Sequence, residues 1–373
     1  MPAKLTSLDS FDVKILEALG KLGPRNMSKI AKALCTHIES VRSRIKHMSS
    51  LFYLRMSASV YHTNLGLKKA VVFAHATPGQ EDLLFNCLKL NSFYVYLTRC
   101  YGMFEGCLAI YTIPVEHCTE FTKFIRQVEK LGVAKKIRVF WSTCFHTINR
   151  TSQWFDFRSE KWTFQWDEWI KEIAKKPTEL PYTLVEPESW SMKADELDLL
   201  IIPELEADAT KSFTEIAKKL KTTPQNIRYH YENHIIKRRL IEKFQIFIFP
   251  FDKTVSSMFW FTFKFQDTQN LARFALSLLD KPFVYVLGKV LGKDMLVAQI
   301  YLPWSEFMLF VESLSKLCRK DLLKSYRYVI QDLRKGKWSR KTIPFEDSKH
   351  GKWIYNHNKH IKDLRRLVKQ QIA

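Results

Sequence analysis

At 373 residues, the chain is longer than one hydrophobic core requires, so two or more domains are expected. A hydrophobic fraction of 46%, an aromatic fraction of 14% and only 11 Gly and 13 Pro exclude a largely disordered polymer. Lys and Arg outnumber Asp and Glu by 59 to 38, and a formal charge of +21 makes nucleic acid or an anionic membrane surface the natural partner, with a merely soluble basic protein as the plain alternative.

From the N-terminus, residues 1–12 show no apolar run flanked by positive charge, so no leader is expected, and no window approaches the ~20 apolar residues of a membrane span. The seven cysteines are scattered without a Cys-x-x-Cys pair, which predicts reduced thiols, a cytoplasmic setting and no zinc knuckle. Leu8, Phe11, Ile15, Leu16 and Leu19 recur at helical spacing until Gly23-Pro24 breaks the chain. A short second helix is predicted over 27–34 and a third over 36–48, with Ile38, Val41, Ile45 and Met48 facing inward. An extended stretch over 54–60 completes the layout of a winged helix-turn-helix. The apolar period then changes. It predicts strands at 69–76, 94–101, 107–113 and 136–142 with helices at 81–90 and 116–131, the β-α-β-β-α-β order of a ferredoxin-like sandwich.

Residues 143–192 form a Trp-rich segment and Pro-containing linker, read as an appendage anchoring itself to a sheet rather than a base-stacking platform. Beyond it the chain repeats itself. Ile30-Ala31-Lys32-Ala33-Leu34 aligns with Ile216-Ala217-Lys218-Lys219-Leu220 at an offset of 186, which also brings Asp12 onto Asp198 and Val41-Arg42 onto Ile227-Arg228. Helices are predicted near 194–205, 213–220 and 223–236 and a strand at 241–249; Pro203 should kink or shorten the first of these helices. A second sandwich follows, with strands at 258–265, 284–291, 295–302 and 325–331 and helices at 269–279 and 305–317. Its aromatic strand from Phe259 to Phe265 is expected to pack on another sheet, which the first copy could supply. Residues 333–373 carry twelve Lys/Arg against three Asp/Glu. Their run 359–369 reads equally well as a helix on a DNA backbone and as a solvated helix end. Arg-x-x-Lys-Trp occurs in both appendages, at 158–162 and 334–338, suggesting that the appendage belongs to the duplicated unit.

These stretches resemble the Lrp/AsnC family of bacterial and archaeal transcription regulators. The resemblance rests on Leu8-Asp9-Ser10-Phe11-Asp12, Ile30 to Leu34, Val41-Arg42-Ser43-Arg44-Ile45, Leu65-Gly66-Leu67, Gly102-Met103-Phe104-Glu105 and Leu131-Gly132-Val133. It implies an α+β fold in which two winged helix-turn-helix domains (1–62 and 192–252) each precede a βαββαβ sandwich (63–145 and 253–333), arranged as a pseudo-dimer with appendages at 146–191 and 334–373. It departs from the family in carrying both units in one chain. The family's sensing loop is shortened to Gly292-Lys293-Asp294 in the second copy, so a small-molecule effector stays open, as does further homo-oligomerisation.

A third helix of this kind lies in the major groove and reads base edges with its N-terminal residues. In copy one these are His37, Glu39, Ser40 and Ser43; in copy two they are Thr223, Gln225, Asn226 and Tyr229, of which Gln and Asn can pair bidentately with adenine. Arg42, Arg44 and Lys46, and likewise Arg228, Lys237, Arg238 and Arg239, are expected on phosphates, with Thr36 and Thr222 capping the helices. The expected partner is double-stranded DNA and not a membrane. Because the two readers differ at nearly every outward position, the expected site is asymmetric.

No cofactor, catalytic group or metal site is expected. His230/His234, and His357/His360 near His350, lack ligand partners at recognisable spacing. An enzyme reading is the alternative, because siroheme decarboxylases share this architecture. Their His- and Arg-bearing strand corresponds to 93–102 and 283–292 here, with Arg99 but no histidine, so the chain is expected not to be an enzyme. A scaffold that binds nucleic acid without sequence preference is the remaining reading.

Overall fold

The structure, a computed structural model, describes residues 7–338, 341–349 and 352–372; His350 and the first six residues, on which part of the leader expectation rests, lie outside them. The first winged unit comprises α1 (Ser10–Leu22), α2 (Met27–Ala33), α3 (Ile38–Leu51) and the exit strand β1 (Arg55–Val60). Asp9 starts α1 as a capping box, accepting the Phe11 and Asp12 N–H groups at 2.9 Å while Asp12 accepts the Asp9 N–H at 3.3 Å. Gly23, at φ +77°, ends α1 where an L side chain would be strained. The first sandwich follows as β2 (Leu67–Ala76), α4 (Glu81–Lys89), β3 (Tyr94–Gly102), β4 (Gly106–Pro114), α5 (Cys118–Lys130) and β5 (Ala134–Ser142). The Trp-rich appendage contains β6 (His146–Thr147), the hairpin β7 (Phe155–Asp156) and β8 (Lys161–Trp162), and α6 (Trp166–Ile173).

The second winged unit is α7 (Glu196–Ala207), α8 (Phe213–Leu220), α9 (Pro224–Tyr229) and β9 (Ile241–Phe247), with α9 continuing as a π-helical turn over His230–Ile236. The second sandwich is β10 (Ser256–Lys264), α10 (Thr268–Leu278), β11 (Val284–Lys289), β12 (Met295–Pro303), α11 (Trp304–Arg319) and β13 (Ser325–Gln331). The C-terminal segment holds β14 (Lys337–Trp338), the hairpin β15 (Ser348–Lys349) and β16 (Lys352–Trp353), and α12 (His357–Ile372). Pro203 does not shorten α7, which runs through it to Ala207. The buried Leu199, Ile201, Ile202 and Leu205 on either side of Pro203 hold the helix in place by packing despite the hydrogen bond that proline cannot donate.

The fold is α+β, with two winged helix-turn-helix units each followed by a ferredoxin-like sandwich and the copies arranged as a pseudo-dimer. The strands run β5-β2-β4-β3 in copy one and continue directly as β13-β10-β12-β11 in copy two, with β6 of the Trp-rich appendage beside β11. One junction pairs Ile330 of β13 with Tyr101 of β3. Its counterpart across the pseudo-two-fold joins the ends of β5 and β11. There Ser142 bridges Val290, the Thr143 N–H donates to the Lys289 carbonyl at 2.9 Å, and the Leu291 N–H donates to the Trp141 carbonyl at 2.8 Å. The exit strands also pair with each other, β1 antiparallel to β9 from Arg55↔Phe247 to Val60↔Ile241.

Val71, Phe73, Tyr96, Trp260, Tyr285, Tyr301 and Val329 fill the space between the two halves of this sheet. Each copy therefore supplies the other's missing layer, and the aromatic strand takes part as expected, though through Trp260 and not through its phenylalanines. Phe259, Phe261, Phe263 and Phe265 alternate onto the helical side, and it is Met258 and Trp260 that meet the opposite half. The strand period of two allows only one of the two sets to face that way.

The appendages are exchanged between copies. Trp154, Trp166, Trp169, Ile170 and Ile173 follow the first sandwich in sequence yet pack into the helical layer of the second. Reciprocally, Tyr355, Leu364 and Val368 join the helical layer of the first, with α12 against α5 and α4. The hairpins also correspond. Phe155 and Trp162 pack on the first winged unit, and Ile343 and Trp353 on the second. The Arg-x-x-Lys-Trp match therefore misplaced the repeat: the counterpart of Lys161-Trp162 is Lys352-Trp353, whereas Lys337-Trp338 pairs with β3. The Trp-rich segment is an anchor, but its indoles rest mainly on helices rather than on a sheet face.

His360 is 4% exposed on α12, against Tyr355 and Phe124. Burial, together with His357 and Lys359, pushes its pKa down to about 4. The unfolded chain takes up that proton near 6.5, so stability is full above pH 6.5 and is lost as pH falls toward 4. The loss is at most roughly 3 kcal/mol. His146, at about 3 through burial and Lys243, acts in the same direction. Urea unfolding at pH 7 and pH 4.5 should show this loss, and His360→Leu should show a smaller one; equal losses would remove His360 from the account.

Candidate nucleic-acid interface

In copy one, Val41 and Met48 of α3 are buried against α1 and α2, which turns His37, Glu39, Ser40, Arg42, Ser43 and Lys46 outward and exposed. Thr36 is half-buried and does not cap the helix. The N-cap is His37, in extended conformation without a side-chain cap bond, because the chain enters the helix one residue later than expected. Arg42 pairs with Glu39 at 2.6 Å, but both side chains are more than half exposed (58% and 73%), so the pair is screened and can open at little cost.

Arg44 does not belong to the outward set. Its guanidinium lies 2.5 Å from Asp9 and 3.4 Å from Asp12, clamping α3 onto the start of α1. Burial raises the Asp9 pKa, but the Asp12 N–H and Arg44 outweigh it and hold the carboxyl below its ordinary range. Asp12 is raised by its burial and by Asp9.

In copy two, Thr223 is the N-cap, accepting the Asn226 N–H at 3.2 Å, and Pro224 fills the first helical position. Thr222 instead accepts a bond from the Asn226 side-chain amide at 3.2 Å. Gln225, Asn226, Arg228 and Tyr229 are exposed, while Ile227 points into the core. Arg228 lies over the Phe213 ring at 5.7 Å. Lys237, Arg238 and Arg239 are exposed at the helix's far end rather than along its front. There Lys237 donates to Asn233 at 2.6 Å, Arg238 to the Lys193 carbonyl at 3.0 Å, and Arg239 covers Tyr182 at 5.3 Å.

Two clusters escaped the sequence. The first joins Asp195 and Asp198, at the start of α7, to His230 and His234 on the π-helical turn, with all ligand-capable atoms within 4.8 Å of one another. The carboxylates that looked absent are supplied by a helix more than thirty residues upstream, and the Asp-x-x-Asp capping box was their only local sign. The second is a buried group beneath the winged units. Lys69 lies 3.5 Å from His62, and His62 lies 2.8 Å from Thr342, which donates to Glu206 at 2.5 Å. Burial pushes the Lys69 pKa down to about 8, that of Glu206 up to about 7 and that of His62 well below its usual value. On β3, Arg99 is held by Asp82 at 2.8 Å and Glu105 at 3.5 Å. One open cleft of about 430 Å³ is lined by Asp167, Ile170, Lys171, Lys316, Arg319 and Lys320, and a smaller one of about 160 Å³ lies beside Thr112 and Thr342. No helix among the described residues is long and apolar enough to cross a membrane.

No protein-family model and no curated protein matches the chain in sequence. Among solved structures it is similar to the siroheme decarboxylase NirDL, with TM-score 0.50, 10% identity and coverage of 97% of this chain and 99% of that one. NirDL in complex with an iron-uroporphyrin III analogue matches equally, at TM-score 0.50 and 11% identity. LrpC of B. subtilis aligns with 36% of this chain over 93% of its own length, at TM-score 0.30 and 18% identity. At these identities the likeness is one of fold. It nevertheless overturns the expectation that the chain is not an enzyme: the architecture matched across nearly its whole length is that of an enzyme.

Proposed function

We propose that the chain binds double-stranded DNA as a regulator of Lrp/AsnC type, reading an asymmetric site with two non-identical helices. One observation carries this reading: each winged unit presents a third helix with an exposed face bearing polar and basic side chains, and the two faces differ. Asn226 and Gln225 supply bidentate amides in copy two. In copy one the outward set is His37, Glu39, Ser40 and Ser43, flanked by Arg42 and Lys46.

Selection of bound duplexes from a random pool, repeated with Asn226→Ala/Arg228→Ala, tests the reading. The preference at the bases read by copy two should fall roughly 10- to 100-fold while the preference set by copy one persists. Unchanged preferences in the double variant would refute the reader assignment, and a palindromic consensus would refute the asymmetry.

A second reading has its own support in the near-full-length fold likeness to NirDL, namely an enzyme that removes carboxyl groups from a tetrapyrrole. Arg99, the one residue here that matches the decarboxylase motif, is paired with Asp82 and Glu105, which a substrate carboxylate would have to displace. Incubation with siroheme under reducing, oxygen-free conditions, followed by mass spectrometry, discriminates the two. A product lighter by carbon dioxide would establish the enzyme reading.

A further inference from the structure

The two copies treat the same acidic pair differently. In copy one, Asp9 and Asp12 share the permanent cation of Arg44. At the repeat offset, Arg44 becomes His230 and Met48 becomes His234. Copy two therefore keeps the carboxylates of Asp195 and Asp198 but replaces the fixed positive charge with two imidazoles, each directing Nδ1 at both carboxylates. His230 lies 2.8 Å from Asp198 and 3.5 Å from Asp195; His234 lies 3.0 Å from Asp195 and 3.1 Å from Asp198. The π-helical turn stacks the two histidines on one side of the helix, with ring centroids 4.5 Å apart, and Tyr229 packs edge-on against both.

We infer that Asp195, Asp198, His230 and His234 form a binding site for a divalent transition-metal ion of the zinc class. Two nitrogens and two carboxylate oxygens are a donor set that such an ion takes in tetrahedral geometry. Bonds of about 2.0–2.2 Å place the donors about 3.3–3.6 Å apart, close to the separations already present. Asp198 is fully buried, His230 and His234 nearly so, and Asp195 is 45% exposed, which leaves one side open for an ion to arrive. The ion would do in copy two what Arg44 does in copy one, fastening the third helix to the first with a positive charge, but reversibly. The inference does not depend on DNA binding.

The test is calorimetric titration of Zn²⁺ into the chelator-treated full chain, with Co²⁺ absorption reporting the geometry. One equivalent should bind, with a tetrahedral cobalt spectrum and a higher unfolding midpoint. His230→Arg/His234→Met installs the residues that copy one already folds around, and it should lose that equivalent while remaining folded. Asp195→Asn keeps a good N-cap and should weaken binding at least 10-fold. No saturable binding up to ~100 µM Zn²⁺, or an equivalent that survives in the double variant, would overturn the site.

Discussion

Raising salt fourfold, from about 50 to about 200 mM, should weaken duplex binding roughly 10³-fold. Counterion release gives a log–log slope of about −0.9 per phosphate neutralised. With Arg44 committed to Asp9 and Asp12, the expected phosphate contacts reduce to Arg42, Lys46, Arg228, Lys237, Arg238 and Arg239, all exposed. Six such contacts give a slope near −5. Replacing Arg42 and Lys46 by alanine should bring the slope to about −3.5, whereas Arg44→Met should leave it unchanged and act on the stability of the first winged unit instead. Fluorescence anisotropy on one duplex across a salt series measures all three. A slope near zero would show that the basic surface does not meet a polyanion at these helices.

Trp169→Ala should cost about 3–5 kcal/mol, among the larger effects of any single substitution in this chain. Its indole is fully buried, donates to the Ser277 hydroxyl at 3.0 Å, and meets Phe274 at 5.8 Å and Phe310 at 5.7 Å. Because α6 is held to the second sandwich mainly by this apolar stripe, with Trp166 donating to Glu306 at 2.8 Å and Asp167 pairing with Lys316 at 3.1 Å, the loss should appear as release of α6 from α10 and α11 before any global unfolding. Hydrogen exchange should lose protection in α6 first. Uniform loss across both copies would mean that the appendage and the sandwich unfold as one unit.

The duplication was legible because an offset of 186 carries residue identities along it, and the three-helix units because helical apolar spacing is a local signal. Contacts between distant segments had no such signal. Arg44 looked like any basic residue on a third helix, and only its approach to Asp9 shows that it is structural. The four ligand-capable residues of copy two are separated by a whole helix pair, so spacing rules for metal sites could not see them. The strand from Phe259 to Phe265 alternates legibly, but both of its faces are apolar and the sequence does not say which one meets helices. The Arg-x-x-Lys-Trp match falls in the wrong register because three identities, two of them basic, recur by chance in so basic a tail.

The exchange of appendages also orders events in time. Synthesis completes α5 about 240 residues before α12, and at roughly 5–20 residues per second that is an interval of about 10–50 s. Throughout it, the apolar surface of α4 and α5 that receives Leu364 and Val368 stands without its cover. The half that leaves the ribosome first is thus sealed after the half that follows it, only when α12 arrives.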